Sequence, residues 1–426
     1  MSPTSLQTFR LPDLEAHCPY PLRQNAHCAS AARASEAWLL SHGHTSLSAR
    51  RRAAFLRLRG GELTAACYPD APAPRLRDVA DFLNFLFTLD DWSDEFGARD
   101  TCGLAECVMR AFDDPAGYKT RNAAGLLAKR YVCRIRDTYL VIVRSYGDLL
   151  GSFGERLRDN AGPRCNRRFM ETMDLFFRAI EQQARDRARG DVPSFEEYIA
   201  LRWDTSGCKP CFALIEYAAG IDLPDEVVSH PVIRALEEAA NSSISWSNVS
   251  ALLKLRDEAD CCLSRMYAQD IFSYNVEQAR GDSHNMITVV MRRDKLNLQE
   301  AVDSVGALCN ASIDRFEQDR HRLPSWGPAI DCAVATYVQG LQDWMVGALH
   351  WSFDTARYLG DDGAAIKKHR IVTLLQKERR GRGMRWGMST AAGESGSRWS
   401  LRHRLTCRGN TSFVFDEFSI CSKNVS

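Results

Sequence analysis

The segment PRLRDVADFLNFLFTLDDWSDEF, Pro74 to Phe96, carries the strongest structural signal in the chain. It opens on proline, which suits the first turn of a helix. Its apolar residues recur at helical rather than strand spacing. The apolar run FLNFLF leads into three aspartates, Asp90, Asp91 and Asp94. At roughly 100° per residue, positions 90 and 94 fall about 40° apart, on one face of the helix. Carboxylates gathered at the edge of an apolar surface repel one another unless a cation joins them. Oxygen ligands on a rigid element suit Mg²⁺, which binds through one or two carboxylates plus phosphate oxygens of a substrate. The same cluster also suits a plain solvated helix end, and alone it does not separate the two.

The helical periodicity continues through the chain. NRRFMETMDLFFRAIEQQARDRARG (Asn166 to Gly190) is amphipathic and stops at glycine. SFEEYIALRWDTSGCKPCFALIEYAAG (Ser194 to Gly220) begins with a serine followed three residues later by Glu197, a capping box. DCAVATYVQGLQDWMVGALHWSFDTARY (Asp331 to Tyr358) is another long helical pattern. Alternating strand patterns are few, no glycine-rich nucleotide-binding signature occurs, and no internal repeat is present. The expectation is an all-α protein, with one helical bundle over residues 1–376 and a site built from inward-facing side chains. From Lys377 onward the chain is rich in Gly, Ser and Arg without an apolar stripe, and residues 377–426 are expected to be disordered or aberrant.

Composition narrows the function. A formal net charge of +1 offers no field for a polyanion, so nucleic acid is not an expected partner. The opening MSPTSLQTFRLPDLEAHCPYP lacks a basic stretch followed by an apolar core, the mark of a secretory leader. With 15 scattered cysteines, an odd number, this points to free thiols in a reducing cytoplasm. CKPC (Cys208 to Cys211) has metal-like spacing but no second ligand pair, and reads as buried thiols on a helix. The longest apolar runs, such as YLVIV (Tyr139 to Val143), are far too short to span a bilayer, so no membrane association is expected.

A second group of hard ligands stands in DIFSYNVEQ, Asp270 to Gln278, where Ser273 and Glu277 are one helical turn apart. A third ligand four residues before Ser273 would complete a column on that face. Gln269 holds this position in the printed chain. If Val249 to Gln269 is removed, Asn248 takes it and the text becomes WSNDIFSYNVEQ.

At these residues the chain resembles the class I terpene synthases, specifically the fungal, basidiomycete-type sesquiterpene synthases. LDDWSDE matches their aspartate-rich D(D/E)xxD motif. ND followed by IFSYNVE matches their NSE motif. YIALRWDTSGCKPC matches the segment that carries a diphosphate-sensing arginine, here Arg202, and WSFDTARY matches their Arg-Tyr pair, Arg357 and Tyr358. The likeness runs from FRLPDLEAHCPYPLR to about Leu375. It implies a helical bundle around a central apolar cavity, in which farnesyl diphosphate ionises and cyclises. It further implies three Mg²⁺ ions held by Asp90, Asn248, Ser273 and Glu277, with Asp91 or Asp94 assisting. Arg202, Arg357 and Tyr358 would bind the diphosphate. Phe87 and Trp351 are candidates for the pocket wall, and Trp344, Phe82 and Phe353 read more simply as core. A prenyl-elongating transferase of the same fold would need a second aspartate-rich motif where the NSE residues stand. A helical relic with a broken metal site is the remaining alternative.

The NSE motif is interrupted. Gln269 lies 67 residues beyond Arg202 and Asn248 lies 46 beyond it, and the shorter spacing is the one the family resemblance implies. The stretch Val249 to Gln269 is 21 residues, or 63 nucleotides. It opens with Val-Ser, which GTAAGT encodes, and closes with Gln, which CAG encodes; both match common splice-site sequences. The expectation is a retained intron, with a lineage-specific loop as the alternative. Residues 131–145 form a second candidate insertion.

Overall fold

The computed structural model describes residues 7–42, 49–95, 105–111, 119, 162–189, 193–245, 269–280 and 285–376. All of them lie within the compact unit Met1–Glu378. The expected insertions at 131–145 and 249–269, apart from the helical Gln269, and the expected tail at 377–426 lie outside the described residues.

The architecture is helical, as the periodicity predicts. In chain order the helices are α1 (Leu14–His17), α2 (Cys28–His42), α3 (Ala49–Leu56), α4 (Gly60–Cys67) and α5 (Ala73–Glu95). A short α6 covers residues 105–111. There follow α7 (Pro163–Arg189), α8 (Phe195–Thr205), α9 (Cys208–Ala219), α10 (Asp225–Val228), α11 (Pro231–Ser245) and α12 (Gln269–Arg280). The described chain ends with α13 (Met286–Asp294), α14 (Leu298–Arg320), α15 (Pro328–Asp354), α16 (Ala356–Leu359) and α17 (Gly363–His369). Two three-residue strands, β1 (Thr8–Arg10) and β2 (Ile371–Thr373), pair antiparallel with Phe9 opposite Val372. They tie the start of the chain to the segment that follows α17.

Helix α5 carries the aspartates. It packs against α2, α4, α7 and α9, and α15 packs against α4, α9 and α11. Leu76, Val79, Phe82 and Phe85 of α5 are fully buried. Each such side chain contributes about 1.5–3 kcal/mol relative to exposure. Phe82 meets Phe169 of α7 edge-on at 5.0 Å, and Trp344 of α15 stands edge-on to Tyr68 and Phe212. Both are core residues. Cys208 and Cys211 are buried on α9, where loss of solvent pushes their thiols up.

Two of the long helical patterns are each divided. The pattern from Ser194 to Gly220 becomes α8 and α9, separated at Gly207, whose φ is 71°. A Cβ there would sit 2.9 Å from Leu86 Cδ2, so the break rests on glycine both for its backbone angle and for the close approach of α5. The pattern from Asp331 to Tyr358 breaks at Thr355, which is extended at φ −76° and ψ 139° and caps α16 by accepting from the Arg357 amide. Hydrophobic periodicity runs through both breaks without registering them. Among the described residues no helix is long and apolar enough to cross a membrane.

Candidate active site

The capping box expected at Ser194 is present. The Ser194 hydroxyl accepts from the Glu197 amide at 3.2 Å, and the Glu197 carboxylate accepts from the Ser194 amide at 2.9 Å. This fixes the start of α8 and places Tyr198 and Arg202 one turn apart on its inner side. Both side chains reach Asp270 in the first turn of α12. The Tyr198 hydroxyl donates to Asp270 Oδ2 at 2.5 Å, and the Arg202 guanidinium approaches Oδ1 at 3.2 Å. The Met286 amide also donates to Oδ2, at 3.2 Å. Asp270 is 1% exposed. Burial pushes its carboxyl up, and Arg202, Tyr198 and the Met286 amide oppose that shift by favouring the charged form. Burial and the neighbouring carboxylate push the Tyr198 phenol well above its ordinary value, so it remains a proton donor.

Ser273 and Glu277 follow Asp270 on α12 and share a neighbour. Asn285 Nδ2 lies 2.9 Å from Glu277 Oε2 and 3.4 Å from Ser273 Oγ. One amide nitrogen can touch both only if hydroxyl and carboxylate lie on the same side of α12. This donor set, a hydroxyl and a carboxylate on one rigid helix, fits a hard divalent cation such as Mg²⁺. Among the described residues no group of three or more His, Cys, Asp or Glu stands at metal-binding distance. Asn248 and the side chains of Asp90, Asp91 and Asp94 lie outside the described residues, although the helix that carries the three aspartates extends to Glu95.

The Arg-Tyr pair joins the two sides. The Arg357 guanidinium carbon stands 5.6 Å from the centroid of the Phe87 ring, one turn before the aspartates of α5. Tyr358 stacks at 6.5 Å and 28° on Phe272, the residue before Ser273, and meets Trp351 edge-on at 5.8 Å. Phe87 and Trp351 lie 5.2 Å apart, and the Trp351 indole donates to the Leu58 carbonyl at 2.9 Å, which fixes that ring. Phe353 packs on Phe272 at 4.8 Å. Segments far apart in the chain thus meet: the end of α5 through Phe87, α8 through Arg202, α12 through Asp270 and Phe272, and α16 through Arg357 and Tyr358.

Matches with known proteins place the chain in a family. Residues 81–315 match the family model described as terpene synthase family 2, C-terminal metal binding. The chain is 45% identical to sesquiterpene synthase Agr1 of Cyclocybe aegerita, over 87% of this chain and 94% of that one. The chain belongs to the terpene synthase family. This terpene synthase is also 47% identical to the alpha-muurolene synthase of Coprinopsis cinerea, over 86% of this chain and 78% of that one. Germacradien-4-ol synthase from Streptomyces citricolor shares its fold, with a TM-score of 0.58 at 22% identity, over 78% of this chain and 96% of that one.

Three residues that contact the expected site residues escape a reading of the sequence: Asp270, Tyr198 and Asn285. Each leaves a faint local trace. Tyr198 stands one turn before Arg202, Asp270 opens the DIFSYNVE segment, and Asn285 directly precedes the apolar run MITVV as a helix cap would. None of these traces reveals that the three converge.

Proposed function

We propose that this terpene synthase ionises farnesyl diphosphate and cyclises it to a sesquiterpene hydrocarbon or alcohol, releasing diphosphate, with Mg²⁺ as the metal. The convergence of Arg202, Ser273, Glu277, Arg357 and Tyr358 through the contacts of α12 and α16 carries the reading. Asp90, Asn248, Ser273 and Glu277 would hold the metal, with Asp91 and Asp94 beside them. Bound Mg²⁺ supplies positive charge where the leaving diphosphate gathers negative charge. Arg202 and Arg357 add fixed cationic donors to the same anion, and the Tyr358 hydroxyl adds a neutral one. Phe87 and Trp351 present ring faces to the developing carbocation, which cation–π attraction stabilises. Closure of these apolar walls keeps water from quenching that cation.

A second reading has one specific support. Helix α12 begins at Gln269, so its turn from Ser273 to Glu277 is built downstream of the Val249–Gln269 stretch, while Asn248 stands upstream of it. Gln269 offers an amide one methylene longer than asparagine, and Mg²⁺ is strict about geometry. The printed chain is then a poor catalyst or an inactive helical scaffold, and the chain without 249–269 is the enzyme.

Incubating both forms with farnesyl diphosphate and Mg²⁺, with diphosphate release and volatile products measured, separates these cases. The shorter form is expected to yield a cyclic C15 product and the printed form little or none. A longer linear prenyl diphosphate would mark an elongating enzyme. No diphosphate from either form would leave only the scaffold.

A further inference from the structure

Asn285 is the residue whose surroundings go furthest beyond the reading above. It is fully buried and stands between α12 and α13. Its side-chain oxygen accepts from the Ile287 amide at 2.8 Å and so caps α13. A backbone N–H can only donate, so this bond fixes which end of the amide is oxygen. The nitrogen end must therefore face α12. It lies 2.9 Å from the Asp270 carbonyl, 2.9 Å from Glu277 Oε2 and 3.4 Å from Ser273 Oγ. An amide nitrogen has no lone pair for a metal, so Asn285 in this orientation cannot serve as a ligand.

We infer that Asn285 is a positioning residue for the metal site: capping α13 locks its amide, and the locked N–H₂ gives its two hydrogens to the Asp270 carbonyl and the Glu277 carboxylate, holding Glu277 toward the cation it would share with the neighbouring Ser273 hydroxyl. The inference rests on the reading of Ser273 and Glu277 as ligands. A carboxylate on a helix can otherwise turn among several rotamers, each presenting its oxygens differently. A buried donor on one oxygen selects a single orientation before any cation arrives. Partners of this kind change metal affinity by about 10–100-fold when lost.

Capping and positioning can be separated by substitution. Asn285→Asp keeps an oxygen for the Ile287 amide, and aspartate caps helices about as well as asparagine. It replaces the donor that faces Glu277 with a second acceptor. Asn285→Ser also keeps a capping oxygen, on a side chain too short to carry a donor to Glu277. The test is a titration of the form that releases diphosphate with Mn²⁺ in the presence of inorganic diphosphate, with free Mn²⁺ read by electron paramagnetic resonance and thermal melting recorded in parallel. Glu277→Ala serves as the reference for loss of a ligand.

The expected result is that N285D and N285S weaken Mn²⁺ binding about 10–100-fold, as E277A does, while at least one of them melts with the parent. Parental Mn²⁺ affinity in both N285D and N285S, with E277A impaired, overturns the positioning role and leaves the ligand assignment standing. Parental affinity in E277A itself overturns the ligand assignment, and the inference falls with it.

Discussion

Two buried carboxylates in this protein each receive an arginine from a neighbouring helix, and the two pairs are built differently. Glu216 of α9 takes Arg168 of α7 in a fork, with contacts of 3.0 and 2.8 Å to its two oxygens. The same guanidinium donates to the Leu223 carbonyl at 2.9 Å and to Asp225 at 2.7 Å, so all three of its nitrogens bind protein acceptors. Asp270 takes Arg202 on one oxygen only, at 3.3 Å from Nε and 3.2 Å from Nη2. Here the carboxylate is the group secured from other directions, by Tyr198 and the Met286 amide. Arg168 fastens α7 to α9 and to the segment leading into α10. Arg202 is aligned by a carboxylate that does not depend on it for its place, an arrangement suited to an arginine that meets an incoming anion.

The largest effect is expected at the fork. Arg168→Ala leaves Glu216 buried without its main partner, and breaking a buried pair from one side costs about 3–5 kcal/mol. Urea unfolding should show that loss, while turnover per folded molecule stays near the parental value. Arg202→Ala should do the reverse in kind, lowering diphosphate release from the active form about 10²–10³-fold, the usual cost of losing a donor to a developing anion. If Arg168→Ala slows turnover per folded molecule as much as Arg202→Ala does, the two pairs do not differ in role.

Tyr198→Phe tests the carboxylate side of the second pair. It removes one hydrogen bond to a charged group, worth about 1.5–3 kcal/mol. With Asp270 less firmly held, Arg202 loses its alignment, and KM for the prenyl diphosphate should rise more than kcat falls. A loss of stability with unchanged KM would make Tyr198 a packing residue alone.

These pairs also show what a sequence can carry. The helices were legible because burial imposes a period of 3.6 residues, and the capping box at Ser194 was legible because it is a contact across three residues. Arg202, Ser273, Glu277, Arg357 and Tyr358 were legible through short motifs in fixed order. The break at Gly207 was not, because a lone glycine within an apolar pattern does not reveal its left-handed backbone, and the close approach of Leu86, more than a hundred residues earlier on another helix, exists only in the fold. Asp270 and Asn285 carry no clear signal for the same reason: their contacts come from groups on α8, α12 and α13 that meet only after folding. A sequence shows local contacts and repeated patterns, whereas alignment of functional groups depends on contacts between distant elements.

The remaining expected effect concerns pH and lies on the side of the fork. Glu237 of α11 accepts from the Tyr337 hydroxyl of α15 at 2.6 Å. Burial, with the Glu216 charge as a lesser contributor, pushes its carboxyl up from 4.5 to about 7, against the opposing pull of Tyr337 and Lys209. Burial likewise pushes the Tyr337 phenol well above its ordinary value, so it stays a donor throughout this range. Between 4.5 and about 7 the folded protein therefore binds a proton at Glu237 that the unfolded chain has released. The stability from this proton is fully present below 4.5, declines as pH rises and is gone above about 7. Glu237→Gln keeps the neutral shape at every pH, so its unfolding free energy should fall less than the parent's across that window. Parallel pH profiles for parent and variant would place the titration elsewhere. Arg202→Ala should leave the window itself unchanged, because Glu237 takes its shift from burial, with Glu216 as the lesser contributor, rather than from Arg202.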